Sequence, residues 1–292
     1  MGVILRNSLL VSSLLYNSEA WYNVTNPEIE LLESVDTRFL RNILKAPRST
    51  PKETLFLEFG CVPLREVIMK RRILFLHYIM NQNENSMIYK FFETQWKTKK
   101  PKDWICTVQQ NLKHLGFEET FKEIKNMKKS TLKRMLNKAI SKRAFERLIE
   151  MKEKHSKLDN LKYSNLKIQN YLKPSRVKAT QNEIETIFKM RSRMTDVKLD
   201  FRKKYENLDC RTCNKEEESQ KHFNECLEIL KSKQIKTKMT KYDDIFGENS
   251  RNQVEIAKHF LENIEIRKTL KLKMKNKNSG RQIIPCVVHL TG

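Results

Sequence analysis

Apolar residues recur at helical spacing, and the two-residue alternation of a half-buried strand is hard to find. Leu32, Val35, Phe39, Leu40 and Ile43 fall on one helical face. Asn26 as N-cap, Pro27 at the first position and Glu28 in the first turn open that helix. Thr50-Pro51-Lys52-Glu53 reads as a capping box with proline at N1, and Gly60 sits where a helix should stop. A helix over Leu64 to Ile79 follows, and Ser86 caps another that carries Ile88, Phe91, Phe92 and Trp96. Asn7 to Tyr16, with Leu9, Leu10, Val11, Leu14 and Leu15, reads as a core helix. The following Asn17-Ser18-Glu19-Ala20-Trp21 lacks the small-x-small pattern of a signal-peptide cleavage site. Phe117, Phe121 and Ile124 make one further stripe, and Leu132, Met135, Leu136, Ala139 and Ile140 another. A helix from about Asn182 leads to a cysteine-rich loop, and a last helix is expected from about Asn252 to Lys271. The pattern predicts an all-α protein.

Punctuation divides the chain. With 6 glycines and 7 prolines among 292 residues, breaks are rare and informative. The basic stretch Lys97-Thr98-Lys99-Lys100-Pro101-Lys102 and the later Lys173-Pro174-Ser175 are candidate boundaries. They suggest helical regions at 1–96 and 103–173, a third region at 180–270, and a basic, disordered tail at 271–292.

Charge adds a partner class. The 58 Lys and Arg residues against 35 Asp and Glu give a net charge of +23, which suits a polyanion, whether nucleic acid or a membrane surface. No apolar run approaches the roughly 20 residues that span a bilayer, so no membrane partner is expected. Lys122, Lys125, Lys128, Lys129, Lys133, Arg134, Lys138, Lys142 and Arg143 lie opposite the apolar stripes, with Glu123 alone as offset. Such a face is either phosphate-binding or merely solvated; the one-sided sign favours phosphate contact. Lys70, Arg71 and Arg72 on the helix after Gly60, Arg191 and Arg193, and the lysines between Lys231 and Lys238 extend the candidate set.

Cys210, Cys213, His222 and Cys226 follow the spacing C-x2-C-x8-H-x3-C. Zinc takes thiolate and imidazole donors in a closed tetrahedron, so these four residues are a candidate Zn2+ site. The polar segment Asn214 to Lys221 cannot build a core, and a metal would supply its folding energy. The bland alternative is two ordinary buried thiols and a surface histidine. Cys61, Cys106 and Cys286 have no well-spaced partner base and read as buried or incidental thiols, and His77 reads as packed or surface. Clustered thiols without a leader point to a reducing, intracellular setting, nuclear or cytoplasmic, not secretion.

Several stretches resemble, in order, the region downstream of the polymerase palm in non-LTR (LINE-type) retrotransposon reverse transcriptases. They are Ser18-Glu19-Ala20-Trp21, Leu32-Glu33-Ser34-Val35-Asp36, Leu40-Arg41-Asn42-Ile43-Leu44, Leu55-Phe56-Leu57-Glu58-Phe59-Gly60 and Pro63-Leu64-Arg65-Glu66-Val67-Ile68 with Arg71-Arg72. Asp103-Trp104, Gln169-Asn170-Tyr171-Leu172 and Phe188-Lys189-Met190-Arg191-Ser192-Arg193-Met194 are similar to the connector of the same family, and the Cys/His cluster follows. The resemblance implies a helical thumb and connector, then a CCHC knuckle that helps engage template RNA or target DNA, then a C-terminal helix. The family knuckle often has four residues between its last His and Cys; here there are three. No catalysis is expected of this chain. The polymerase needs a Y/F-x-D-D turn and a distant aspartate to hold two magnesium ions, and the chain begins after where that palm belongs. Tyr242-Asp243-Asp244 lacks the spacer and follows the knuckle, so it reads as a turn before the last helix. No P-D followed by D/E-x-K marks a nuclease. Two alternatives stand beside this reading. One is a host-used helical interaction protein with a purely structural zinc. The other is a partial view of an active RNA-directed DNA polymerase.

Overall fold

Thr25, not Asn26, caps the first long helix. In the computed structural model Glu28 Oε2 accepts from the Thr25 backbone N–H at 2.7 Å and from its hydroxyl at 2.8 Å, and Pro27 lies in the first turn of α1 (Asn26–Leu44). The structure describes residues 2–22, 24–117, 121–173, 175–176, 178–233 and 241–278, without the side chains of 121, 122 and 273–278. Residues 1–173 and 174–292 form two units. Among the described residues there is no strand, only two isolated antiparallel bridges, so the fold is all-helical.

In the first unit α1 is followed by α2 (Lys52–Phe59), α3 (Leu64–Met80), α4 (Met87–Thr98), α5 (Trp104–His114), α6 (Phe121–Asn126) and α7 (Lys129–Glu153). The Ser86 hydroxyl accepts from Tyr89 N–H at 3.3 Å and opens α4 as expected. Helix α3 is the hub, packing on α1 and on α4 through α7. Ile73, Leu76, Val108, Leu112, Leu132, Leu136 and Ile140 form one core. Each such side chain contributes about 1.5–3 kcal/mol by leaving water. This core runs across the basic stretch at 97–102, so the helices on both sides of that stretch share one interior.

The buried face of α1 differs from the expected one. Ile29, Glu33, Asp36, Thr37, Leu40 and Leu44 face inward, whereas Val35 is exposed. Two carboxylates can sit there because each has a cation. Arg6 grips Asp36 through Nε–Oδ1 at 2.6 Å and Nη2–Oδ2 at 2.5 Å. Glu33 faces Lys52 at 3.7 Å and Arg147 at 4.0 Å. The amino-terminal run (Gly2–Leu5, a π turn at Arg6–Leu10, then Val11–Leu14) therefore delivers Arg6, Val11 and Leu15 to the interior while Leu9 stays exposed. It is a core helix only in part.

Gly60 ends α2 in the left-handed region, at φ +60°, as its position in the sequence predicts. The chain at 167–169 crosses directly over it. Phe59 bridges Ile168, and Gln169 N–H donates to Glu58 O at 2.9 Å. The fully buried Glu58 carboxylate accepts from Tyr163 at 2.6 Å and from Tyr171 at 2.8 Å.

The second unit contains α8 (Gln181–Arg191), α9 (Gln220–Glu225), α10 (Leu227–Lys233) and α11 (Ser250–Asn278). Thr180 opens α8 with a capping box through Glu183. Helices α8, α9 and α10 all pack on α11, and Phe223 meets Phe260 edge-on at 5.0 Å. Helix α11 continues to Asn278, past the expected stop at Lys271 and into the stretch read as a disordered tail. No glycine or proline interrupts it before Gly280. Residues 279–292 lie outside the described residues. Tyr242-Asp243-Asp244 lies in a 3-10 turn, Tyr242–Phe246, ahead of α11.

Candidate metal centre

Two backbone turns and a helix start bring the Cys/His residues together. Asn214, at φ +53°, turns the chain after Cys213. Cys210 N–H donates to Glu216 O at 2.7 Å, Glu218 N–H to Leu208 O at 2.8 Å, and Asp209 bridges Glu217. The resulting loop returns the chain to Ser219, whose hydroxyl accepts from His222 N–H at 2.9 Å and opens α9. That start points His222 back at the cysteine pair. Cys226 ends α9, and its carbonyl accepts from Ile229 and Leu230 at the beginning of α10.

The four ligand atoms lie within 4.8 Å of one another. Zinc–sulfur bonds of about 2.3 Å in a tetrahedron need edges near 3.8 Å, so small side-chain rotations close the set on one ion. Cys213 Sγ already lies 3.3 Å from His222 Nε2. Glu216 Oε2 sits 3.0 Å from His222 Nδ1, which holds the other ring nitrogen toward the sulfurs. Cys210 and Cys226 are fully buried, and Cys213 and His222 form the outer edge.

Burial and neighbouring donors act in opposite directions on two of the thiols. Burial raises Cys213, but N–H donation from Lys215, contact with His222 and N–H donation from Glu216 bring it down to about 7. Burial pushes Cys226 up to about 12, against N–H donation from Ile229 and with the adjacent Cys210 and Cys213 adding to the rise. Several thiolates this close repel one another, and a divalent ion removes that conflict. The Cys3His cluster can therefore coordinate a metal ion.

Sequence reasoning missed the groups that lock this loop to the helices. Arg211, inside the C-x2-C pair, donates through its backbone N–H and its Nε to Glu218, at 2.7 and 2.9 Å, and also pairs with that carboxylate through Nη2. Those Glu218 hydrogen bonds hold its guanidinium above the usual value. Arg267 of α11 reaches the same Glu218 at 3.2 Å and Asp196 at 2.9 Å, while its guanidinium lies 4.7 Å over Phe223. Asn263 Nδ2 donates to Phe223 O at 3.1 Å. Glu216, six residues before His222, was legible as a carboxylate near a ligand. Arg267 is more than forty residues beyond Cys226 and carried no local signal. A cleft of about 330 Å³ opens beside Cys213 and His222, walled by Lys215, Lys221, Leu227 and Lys231 among others.

The predicted basic residues divide into exposed and buried sets. Lys125, Lys128, Lys129, Lys133, Arg134, Lys138, Lys142 and Arg143 are exposed on α6, on α7 and in the link between them. The side chain of Lys122 lies outside the described residues, as do residues 234–240 of the later lysine segment. Lys142 and Arg143 share Glu146, at 3.9 and 3.4 Å. Lys70 is half-buried; burial and the nearby Lys133 and Arg71 lower its pKa. Three arginines serve the interior or its edge instead. Arg71 Nη1 donates to Leu15 O. Arg72 is 5% exposed, and Arg191 donates to Ile245 O at 2.9 Å from full burial. Arg193 is half-buried at φ +50°. Buried thiol is right for Cys61, which burial raises to about 11; Cys106 is half-buried and Cys286 lies outside the described residues. His77 is packed, its Nε2 2.8 Å from Met127 O. Among the described residues no helix is long and apolar enough to cross a membrane. No protein-family model, no curated protein and no solved structure matches this chain.

Proposed function

We propose that the chain is a nucleic-acid-binding portion of a non-LTR retrotransposon reverse transcriptase, without catalysis of its own, in which a zinc ion on Cys210, Cys213, His222 and Cys226 holds the second unit together. The observation that carries the binding reading is the outward face of α6 and α7. Lys125, Lys128, Lys129, Lys133, Arg134 and Lys138 are all exposed there, and Leu132, Leu136 and Ile140 on the other side are buried. Among the described residues none of these six has an acidic partner within 4 Å. A run of exposed cations gains affinity by releasing counterions from phosphates. Three thiolates and one imidazole suit zinc better than the oxygen-seeking calcium or magnesium. The cleft beside Cys213, with its lysines, offers room for an unpaired base.

The expected result is binding whose log K falls with log salt at a slope of about −4 to −5, from roughly six neutralised phosphates. Reversing Lys129, Lys133 and Lys138 to Glu is expected to weaken binding to every sequence alike. It should flatten the slope by roughly one unit per lost contact. Anisotropy titrations of duplex and single-stranded oligonucleotides at two salt concentrations measure both. Affinity at about 150 mM salt no tighter than roughly 10⁻⁴ M would remove the reading. The loop clamped by Arg211, Glu218 and Arg267 favours a second reading, in which zinc is a structural staple of a helical interaction protein; that reading predicts no response to the three reversals.

A further inference from the structure

Helix α4 turns an unusual surface outward. At 100° per residue, Lys90, Glu93, Thr94 and Lys97 lie along its outermost line. Met87 and Phe91 lie on one flank, one turn apart, and are 84% and 63% exposed. Tyr89 lies on the other flank, in a row of rings with Phe92 at 6.1 Å and then Trp96 at 6.2 Å. Phe92 and Trp96 pack against the core, so the helix is held firmly while its outer rings stay available. Cations stand at both ends of the row: Lys125 Nζ lies 6.0 Å from the Tyr89 ring and Lys99 Nζ 4.9 Å from Trp96. Between 87 and 102 the lysines are Lys90, Lys97, Lys99, Lys100 and Lys102, and Glu93 is the sole acid, already paired with Lys97 at 2.8 Å.

We infer that this face of α4 is a stacking platform for a single-stranded nucleic acid. The strand's phosphates would follow Lys90 and Lys99, and its bases would fold onto Phe91 and the flank of Tyr89. An apolar patch alone would suit any apolar partner. The lysine ridge between aromatic flanks selects one with alternating anionic and flat aromatic groups, which is the chemistry of an unpaired strand. A duplex hides its base faces and could use only the lysines. This inference rests on the nucleic-acid reading above and adds to it a preference for unpaired strand and a ring that reads it.

The test uses the full chain and a pyrimidine-rich oligonucleotide carrying one 2-aminopurine, whose fluorescence falls on stacking, alone and annealed to its complement. Phe91→Ala removes an exposed ring and leaves the core intact. It is expected to weaken single-strand binding by roughly 5-fold to 100-fold, to reduce the quench, and to leave duplex binding within about twofold, since phosphate contacts to the lysines persist. The Lys129, Lys133 and Lys138 reversal is expected to weaken both. If the chain binds both forms, responds to the lysine reversal, and ignores Phe91→Ala, the platform is refuted and the general nucleic-acid reading survives. If neither form binds at about 150 mM salt, both readings fail. If Phe91→Ala instead converts a self-associated free protein to monomer without changing single-strand binding, the face belongs to a second copy of the chain and the platform is overturned.

Discussion

Replacing Cys226 by serine is expected to abolish zinc binding and to unfold the second unit. Cys226 is fully buried between α9 and α10 and closes the ligand set. Structural zinc supplies about 10–16 kcal/mol of apparent binding energy in zinc-finger peptides, more than a domain's net stability of about 5–15 kcal/mol. The loop from Asp209 to Ser219 has little apolar content to replace it. Metal analysis of purified protein should find one zinc per chain in the native sequence and none in the variant. Limited proteolysis should then cut the variant beyond Lys173 while the first unit, with its own core, resists. Equal zinc in both proteins would dismiss the site. A milder effect is expected of Glu216→Gln. Glu216 orients His222 from an exposed position, so zinc affinity should fall toward the lower end of the roughly 10–100-fold typical of such partners. Zinc loss should come earlier on acidification, because the thiolates and the imidazole must shed protons to bind.

What the sequence disclosed, and what it hid, follows the range of the forces involved. Some helix starts and stops are local, so Ser86 and Gly60 could be read from a few neighbours, as could the C-x2-C-x8-H-x3-C cluster; the capping box expected at Thr50 does not form, because Pro51 itself is the N-cap of α2 and no side chain caps it. Long-range charge pairing leaves no such trace. Glu33 and Asp36 look like the wet side of α1, yet both are buried: Arg6 comes to meet Asp36, and Lys52 is the nearest cation to Glu33, at 3.7 Å. Arg72 and Arg191 look like phosphate ligands beside basic neighbours, yet their side chains fill interiors. The clamp of Arg211, Glu218, Asp196 and Arg267 joins residues 71 apart in sequence at its extremes. That clamp explains why the Cys/His loop is built into a helical unit and packed on α11. The end of α11 lies beyond the expected Lys271 for a different reason. Repeated lysines look like a frayed end, but lysine is a good helix former and no glycine or proline intervenes before Gly280.

Gly60→Ala is expected to cost the first unit more than about 3 kcal/mol, at the large end of single-substitution effects. Two penalties combine. A non-glycine residue held in the left-handed region costs about 1–2 kcal/mol. The added Cβ would also overlap the backbone of the crossing segment, at Ile168 N, at Lys167 C and, at 2.7 Å, at Lys167 Cα. Backbone cannot swing aside as a side chain can, so the crossing chain must lift. Lifting it breaks the Gln169–Glu58 hydrogen bond and pulls Tyr163 and Tyr171 from a fully buried carboxylate. An uncompensated buried charge is the more expensive outcome. Gly116 supplies the control. It too has positive φ, at +75°, but among the described residues a Cβ there meets nothing within 4 Å, so Gly116→Ala should cost only the conformational penalty of about 1–2 kcal/mol. Urea unfolding of the two variants separates the effects. Equal losses at both positions would show that the 167–169 crossing does not press on Gly60, and the clasp on Glu58 would lose its structural role.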